Sequence, residues 1–275
     1  MVILRQDRRS FRFAVGAVAV WAAFSLAYIL GPFGGDSHTW FANIGTLLGS
    51  WSVAVLALLL WRSYAPDEVG RRVWLALCLG FVLWAIGDSV WAYYDLQPGG
   101  EVPYPSPADM PWVAGFPFLW AGLWIRYRSM ETRPGRRQSV ALGLIVPSGA
   151  VVFGYVLWPI LTYTGYDRLI EQALDALYPV GEFILFTASV LVAVTMHGGR
   201  LSFPWRIIAG GIAVLSVADL LFAYATWNDL YIIEGTPNVI TILADAPYMG
   251  AYAVIAVGEY ALGRVEGAFG SGGPR

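Results

Sequence analysis

Residues 73–95 read VWLALCLGFVLWAIGDSVWAYYD, a run in which Asp88 and the terminal Asp95 are the only charged side chains. A helix of this length is about 35 Å long, enough to cross the ~30 Å hydrocarbon layer of a bilayer. The whole chain is similarly apolar, since 57% of its 275 residues are hydrophobic and only 13% are charged. One soluble domain cannot bury so much apolar surface, and the composition therefore predicts a membrane protein.

Seven more apolar runs flank this stretch on both sides. They lie near residues 11–31, 39–61, 110–125, 139–162, 173–196, 205–227 and 243–263. The run at 110–125 is the shortest and contains Pro111 and Pro117, but its flanks are sharply polar, so we count it as spanning. We therefore predict an all-α, polytopic membrane protein with eight transmembrane helices.

The positive charges are distributed unevenly along the chain. All 17 are arginines, and all but Arg168 fall on one side when the eight predicted spans are threaded through a bilayer. Basic loops are retained in the cytoplasm, so we expect both termini to be cytoplasmic. A cleaved signal peptide is the alternative for the first span, but its apolar run is long and lacks a small-Xaa-small cleavage pattern.

The sequence around Asp88 occurs a second time in the chain. GDSVWAYYDL (87–96) resembles VADLLFAYATW (217–227), and PADMPWVAGFPFLWAG (107–122) resembles LADAPYMGAYAVIAVG (243–258). Matched residues are separated by 131 positions in the first pair (88 to 219) and by 136 in the second (109 to 245). Because four spans per half is an even number, both halves start on the same side of the membrane. We predict two tandem parallel four-helix repeats, 1–138 and 139–264, followed by a flexible cytoplasmic tail, 265–275.

Three of the predicted helices carry an acid, an aromatic residue and a further large or acidic residue at positions i, i+3 and i+7. The triads are Asp109, Trp112 and Phe116; Asp175, Tyr178 and Glu182; and Asp245, Tyr248 and Tyr252. This spacing places each triad on one helical face near the outer surface. The alternative is that each aspartate is an N-cap and each aromatic residue an interfacial anchor, with proline in the first helical turn.

Three acids lie deeper within the predicted spans. Asp88, Asp219 and Glu182 are about 10–13 Å inside the outer ends of their helices, where an ionisable group is costly and usually has a functional role. The outer loops offer only Arg168 as a positive partner. These acids must therefore be protonated, hydrogen-bonded or neutralised by a cation, unless they belong to an inert polar network. The candidate ligand-binding residues are Asp88, Asp109, Trp112, Asp175, Tyr178, Glu182, Asp219, Asp245 and Tyr248.

Several other classes of chemistry lack the residues that they require. The absence of lysine excludes a retinal or pyridoxal Schiff base. The single cysteine, Cys78, cannot form a disulfide framework or a thiolate cluster, and His38 and His197 fall at opposite ends of the predicted bundle. Neither a phosphate-binding glycine loop nor a nucleophile–base pattern is present. We expect no cofactor, no enzymatic activity and no nucleic-acid partner.

The phrases GDSVWAYYDL, PYPSPADMPWVAGFPFLWAGL and LYPVGEFILFTASVLVA resemble membrane sensory modules that precede diguanylate cyclase, phosphodiesterase or histidine kinase domains in bacteria. The resemblance covers roughly residues 75 to 260. It implies a sensor in the bacterial inner membrane that relays an outer cue to a cytoplasmic signalling partner. The sequence departs from that arrangement after Arg264, where VEGAFGSGGPR is too short to fold as an output domain.

We therefore predict a membrane sensor that binds a small ligand or cation in an acidic and aromatic cavity of its outer half. The alternative is a small transporter that moves a cation or a proton-coupled solute through the same acids. A transporter needs access from both sides, and Glu259 is the only acid near the inner end of a predicted helix. This distribution favours the sensor.

Overall fold

Eight α-helices account for most of the computed structural model, which describes residues 8–34, 36–97, 102–130, 134–196, 198–232 and 235–269. They are α1 (Arg8–Leu30), α2 (Ser37–Ser63), α3 (Val69–Asp95), α4 (Asp109–Arg128), α5 (Arg136–Thr162), α6 (Leu169–Thr195), α7 (Ser202–Trp227) and α8 (Val239–Glu266). The predicted all-α fold class is confirmed. His197 lies outside the described residues.

Seven of the eight helices, all except α4, are long and apolar enough to cross a membrane. This finding supports a polytopic membrane protein. Helix α4 has 20 residues, about 30 Å of helix, but proline, glycine and tryptophan interrupt its aliphatic residues and two arginines end it. The eighth span therefore stays a prediction.

The apolar surface of the bundle is concentrated on its peripheral helices. Along α5, the large side chains of Val151, Tyr155 and Trp158 are all exposed. A soluble protein rarely leaves such a continuous apolar stripe open to water, whereas a lipid-facing helix requires one.

Six helices form a closed ring. In the order α2, α3, α4, α6, α7 and α8, each helix packs against the next, and α8 packs back against α2. Helix α1 lies outside this ring against α2 and α8, while α5 lies outside it against α6 and, more lightly, α7. The ring therefore has an interior that the outer helices do not reach.

Side chains of α3 and α7 meet across the middle of the ring. The rings of Trp74 and Trp205 have centroids 5.4 Å apart. Nearer the other end of the same two helices, Trp91 and Phe222 have centroids 6.2 Å apart and lie edge to face. Helices α3 and α7 thus line opposite walls of one central core.

Glycines allow close approach in two of the helix pairs. Between α3 and α4, Gly80 packs under Leu119 and Gly122 packs under Leu77. Between α7 and α8, Gly211 packs under Ile255, and Gly258 packs under Ile208. A Cβ at any of these glycines would collide with the neighbouring helix, as is common where membrane helices pack through small residues.

Two helices begin earlier than the apolar runs predict. Helix α6 starts at Leu169 and α8 at Val239, so Asp175 and Asp245 lie well inside their helices. The N-cap of α8 is Asn238, whose side chain accepts a hydrogen bond from the Thr241 amide. The N-cap alternative is therefore wrong for these two aspartates. Pro179 and Pro247 likewise lie inside their helices, beyond the first turn.

The end of α8 also extends past the predicted boundary at residue 264. The helix continues to Glu266, and Gly267 adopts a left-handed conformation with φ of 80°. Phe269 then folds back, so that its ring stacks on Tyr260 with centroids 5.6 Å apart. The described part of the predicted tail is therefore helical or packed, while residues 270–275 lie outside the described residues.

Candidate functional site

The carboxylate of Asp88 on α3 is held by donors from two other helices. Its Oδ1 atom accepts hydrogen bonds from Trp112 Nε1 on α4 at 3.1 Å and from the Tyr248 hydroxyl on α8 at 3.2 Å. Its Oδ2 atom accepts one from the Tyr252 hydroxyl at 3.1 Å. Only 4% of Asp88 is exposed. Three neutral donors thus replace the water that an ionised carboxylate would otherwise require.

A second pair of acids lies across the ring from Asp88. The carboxyl groups of Glu182 on α6 and Asp219 on α7 are in hydrogen-bond contact, and the Ser216 hydroxyl lies beside Glu182. Glu182 is 2% exposed, and its Oε2 atom meets no donor among the described residues. Two carboxyl groups can form a hydrogen bond only when one of them carries a proton, so the state of this contact depends on protonation.

The two acidic groups belong to one polar layer in the ring interior. Asp88 and Asp219 are close enough for their charges to repel each other. Seven residues further inward on α3 and α7, about 10 Å along each helix, the buried side chains of Phe81 and Ile212 replace them. The acidic layer therefore lies in the half of the bundle that the charge pattern predicts to be outer, above an apolar layer.

Asp109 and Tyr178 extend this layer toward the outer surface. Asp109 begins α4 and is buried; its Oδ2 accepts a hydrogen bond from the Ser106 amide at 2.6 Å, which ties the preceding loop to the start of the helix. Its Oδ1 accepts the Tyr178 hydroxyl of α6 at 2.5 Å. Tyr178 also lies within range of the Asp219 charge. The pair thus links the start of α4 to the Glu182–Asp219 pair.

Asp175 lies apart from the central layer. Its carboxylate accepts hydrogen bonds from the hydroxyls of Tyr104 and, at 2.8 Å, Tyr166, which belong to two loops. Burial and the Asp175 carboxylate raise the pKa of both tyrosines above its ordinary value, so they remain protonated donors. This cluster fastens loops to α6 and, among the described residues, makes no hydrogen bond to Asp88, although Tyr104 lies within range of the Asp109 charge.

Asp245 also lies apart from the central layer. It lines a small cavity of about 30 Å³ on the side of the ring opposite Asp175. It accepts hydrogen bonds from the Tyr28 hydroxyl of α1 at 2.5 Å and the Tyr231 hydroxyl at 2.9 Å. Burial and the Asp245 charge raise the pKa of Tyr231, which keeps it a donor. His38 and Asp95 line the same cavity. Its volume suits one water-sized guest.

Glu259 is an acid of the inner half of α8. It is 0% exposed, and neither carboxyl oxygen has a hydrogen-bond partner among the residues that the structure describes. It follows Tyr252 by seven residues, which places it on the same face of α8 and about 10 Å further inward. Glu259 thus lies on the far side of the apolar layer from Asp88.

The nine predicted residues therefore fall into three groups. The central group brings together Asp88, Trp112, Tyr248, Glu182, Asp219, Asp109 and Tyr178, while Asp175 and Asp245 each belong to a separate cluster. The sequence reasoning missed Tyr252 as a donor, although it lies one turn after Tyr248 on the same face. Within the described ranges, no group of three His, Cys, Asp or Glu side chains is placed to hold a metal ion.

Neither a protein-family model, nor a curated protein, nor a solved structure matches this chain.

Proposed function

We propose that this chain is a non-enzymatic membrane sensor whose acidic layer binds a proton or small cation and relays that event through the helix ring. The observation that carries the proposal is the cage around Asp88, where donors from α4 and α8 hold a carboxylate of α3. The Glu182–Asp219 pair on α6 and α7 lies within range of the Asp88 charge. Five ring helices therefore contribute to one charge-sensitive layer.

A change of charge in this layer alters contacts between helices. Protonation of Asp88, or a cation bound beside it, weakens the attraction between its carboxylate and the donors of Trp112, Tyr248 and Tyr252. Loss of the shared proton from Glu182 and Asp219 replaces their hydrogen bond by repulsion between two buried charges. Either event favours a different arrangement of the helices, which is the physical requirement for a two-state sensor.

The contacts across the ring support the proposed tandem repeat. Trp74 meets Trp205 and Trp91 meets Phe222, and each residue is 131 positions from its partner (74 to 205, 91 to 222). Asp88 and Asp219 have the same separation and lie between these two contacts. A residue that meets its own counterpart is expected near a two-fold axis, so the three pairs support a pseudo-two-fold axis between α3 and α7.

The glycine contacts support the same relation at a second place. The Gly80–Leu119 contact corresponds to Gly211–Ile255, since 80 to 211 is 131 positions and 119 to 255 is 136. Gly122–Leu77 corresponds in the same way to Gly258–Ile208. Both separations are those of the sequence repeat, which supports four-helix halves related about the membrane normal.

The cellular context of the proposal rests on charge and on resemblance. Arginines gather at the ends of the helices opposite the acidic layer, which favours a cytoplasmic inner face in a bacterial inner membrane. The resemblance to sensory modules of signalling enzymes suggests a cytoplasmic partner that reads the arrangement of the helices. The lipid bilayer is the other partner.

Transport is the second candidate function, and Glu259 is the observation that favours it. A buried carboxyl group that has no donor among the described residues, inward of the acidic layer on the same face of α8, is a suitable second station for a proton. The apolar layer at Phe81 and Ile212 separates the two stations, so transport requires that layer to open.

The test of the sensor proposal compares Asp88→Asn and Asp219→Asn with the exposed control Asp36→Asn. We expect the thermal midpoint of the purified wild type to vary with pH or with added Na⁺, K⁺ or Ca²⁺, and both buried variants to lose much of this response. Asn keeps the shape of the side chain but cannot change its charge. The Asp36→Asn control should follow the wild type. Identical profiles for all four proteins would show that the aspartates are inert polar residues.

Flux measurements separate the two candidate functions. Wild type and Glu259→Gln are reconstituted in liposomes that contain a pH-sensitive dye, and a pH or cation gradient is imposed. The sensor predicts a dye signal equal to that of empty liposomes for both proteins. Wild-type flux above this background that Glu259→Gln abolishes would establish the transporter instead.

A further inference from the structure

A second cavity, of about 210 Å³, lies at the opposite end of the bundle from the acidic layer. It is formed where α2 ends, α3 begins, α4 ends and α7 begins. Its principal polar and aromatic lining residues are Tyr64, Trp74, Arg126, Ser129 and Trp205. The site has one cationic side chain and three aromatic walls, which is the reverse of the chemistry around Asp88.

Arg126 is poorly satisfied by its present contacts. Its guanidinium lies over the Trp205 ring at 4.8 Å, and Nη2 contacts Met196 Sδ at 3.5 Å. Its Nε atom is buried without a hydrogen-bond partner, and Arg126 forms no ion pair with a carboxylate of the described residues. A planar guanidinium with free donors that is oriented by an aromatic ring is suited to an oxyanion.

The other groups of the cavity leave those donors available. The Glu266 charge acts on Arg126, but the Glu266 carboxylate accepts a hydrogen bond from the Tyr64 hydroxyl. Burial and the Glu266 carboxylate raise the pKa of Tyr64, so this hydroxyl stays protonated and keeps Glu266 engaged. The indole N–H of the wholly buried Trp74 lies beside the Tyr64 hydroxyl.

The repeat shows that Arg126 is a departure from the pattern of the fold. Its counterpart 136 positions later (126 to 262) is Leu262, which is completely buried in the core. The two tryptophans of the cavity, Trp74 and Trp205, are counterparts of each other. One half therefore fills this position with a leucine, while the other half places a cation beside an open cavity.

We propose that this cavity binds a phosphate group, with Arg126 as its principal ligand and Trp205 as the surface that orients it. The volume accommodates a phosphate with part of a glycerol or similar polar moiety. Two sources share this chemistry at the inner face of a membrane: the headgroup of an anionic phospholipid and a soluble organic phosphate. This site is independent of the proton or cation site proposed above.

The test uses the full chain, purified in a neutral detergent and stripped of lipid. The thermal midpoint is titrated with phosphatidylglycerol, with glycerol phosphate and with inorganic phosphate; phosphatidylcholine and chloride at equal ionic strength are the controls. Stabilisation by phosphatidylglycerol alone identifies a lipid headgroup. If glycerol phosphate or inorganic phosphate also stabilises the protein, the ligand is a soluble phosphate. A wild type that responds to none of the three beyond the controls overturns the proposal.

Matched variants assign the effect to the cavity. Arg126→Gln should weaken the apparent affinity about tenfold or more, as expected when a charge-assisted hydrogen bond is lost, and Arg126→Lys should restore part of it. Arg128→Gln removes an exposed arginine that lies over Trp124, outside the cavity, and should leave the affinity unchanged. Equal losses in the Arg126 and Arg128 variants would reduce the effect to general surface charge and contradict the site.

A further variant covers the case in which Arg126→Gln does not fold. Ser129 is exposed at the edge of the cavity, so Ser129→Leu should fold while it narrows the space beside Arg126. We expect it to weaken phosphate binding by a similar factor. Unchanged binding in Ser129→Leu would mean that the phosphate binds elsewhere.

Discussion

Asp88 shows how a carboxyl group can be accommodated in the interior of a membrane bundle. Water is replaced by three neutral donors, and these donors come from helices that are distant in the sequence. Each donor restores part of the solvation that burial removes, and the loss of any one leaves a buried oxygen less satisfied. A substitution of one of these donors should therefore lower the free energy of unfolding more than the same substitution at an exposed tyrosine.

Tyr252→Phe should lower the free energy of unfolding by about 1–3 kcal/mol, because Asp88 Oδ2 loses its donor while the ring still fits. The proposed repeat places Phe116 at the equivalent position (116 to 252), which favours a phenyl ring as a compatible replacement. The control is Tyr155→Phe, at an exposed position of α5, which should change stability by less than about 0.5 kcal/mol. Denaturant unfolding in detergent measures the free energy of unfolding of both variants. Equal stabilities of the two variants would mean that the hydroxyl does not support Asp88.

Sequence reasoning at this scale located the acids but not most of their partners. The depth of Asp88, Glu182 and Asp219 follows from counting residues along apolar runs. Donors such as Tyr28 and Tyr231 could not be predicted, because their contacts with Asp245 depend on how α1 and a loop pack against α8. No local pattern encodes such long-range contacts.

Glycine residues set how closely the helices of the α3–α4 and α7–α8 pairs approach each other. On α7, a Cβ at Gly211 would lie 3.1 Å from both the Ala251 carbonyl oxygen and the Ile255 amide nitrogen of α8. Backbone atoms cannot move aside as a side chain can, so the two helices would have to separate. The neighbouring Gly210 faces open space, with nothing within 4 Å.

Gly211→Ala should destabilise the protein by about 1–3 kcal/mol through overpacking between α7 and α8. Gly210→Ala is the matched control, and it should be neutral or stabilise the helix by about 0.5–1 kcal/mol, since alanine is the better helix former. Thermal unfolding of both variants in the same detergent checks this difference. A Gly211 variant as stable as its neighbour would show that α7 and α8 are not in close contact.

The helices themselves were predictable, whereas their ends were not. Hydropathy detects only the part of a helix that lies in hydrocarbon, but a helix satisfies its own backbone hydrogen bonds and can continue beyond the bilayer. For this reason α6 and α8 begin at Leu169 and Val239, ahead of the apolar runs. The additional turn places Asp175 and Asp245 inside their helices and rules out the N-cap alternative for them.

The topology of the whole molecule depends on whether α4 spans the membrane. Reporter fusions after Ser63, Ser129 and Gly199 should report the cytoplasm, and fusions after Gly100 and Glu234, which lie outside the described residues, should report the exterior. The physical reason is the retention of arginine-rich loops on the cytoplasmic side. A periplasmic signal at Ser129 together with a cytoplasmic signal at Ser63 would mean that α4 does not cross the membrane and that the chain has seven spans.

The contacts between α3 and α7 also bear on the origin of the chain. Since Trp74 meets Trp205 and Trp91 meets Phe222, two separate copies of an ancestral half could have joined through one self-complementary surface, as a homodimer does. In such a dimer both aspartates must have identical surroundings. If the proposed repeat arose by gene duplication and fusion, that constraint is removed, and Asp88 is free to be caged by tyrosines and a tryptophan while Asp219 contacts Glu182.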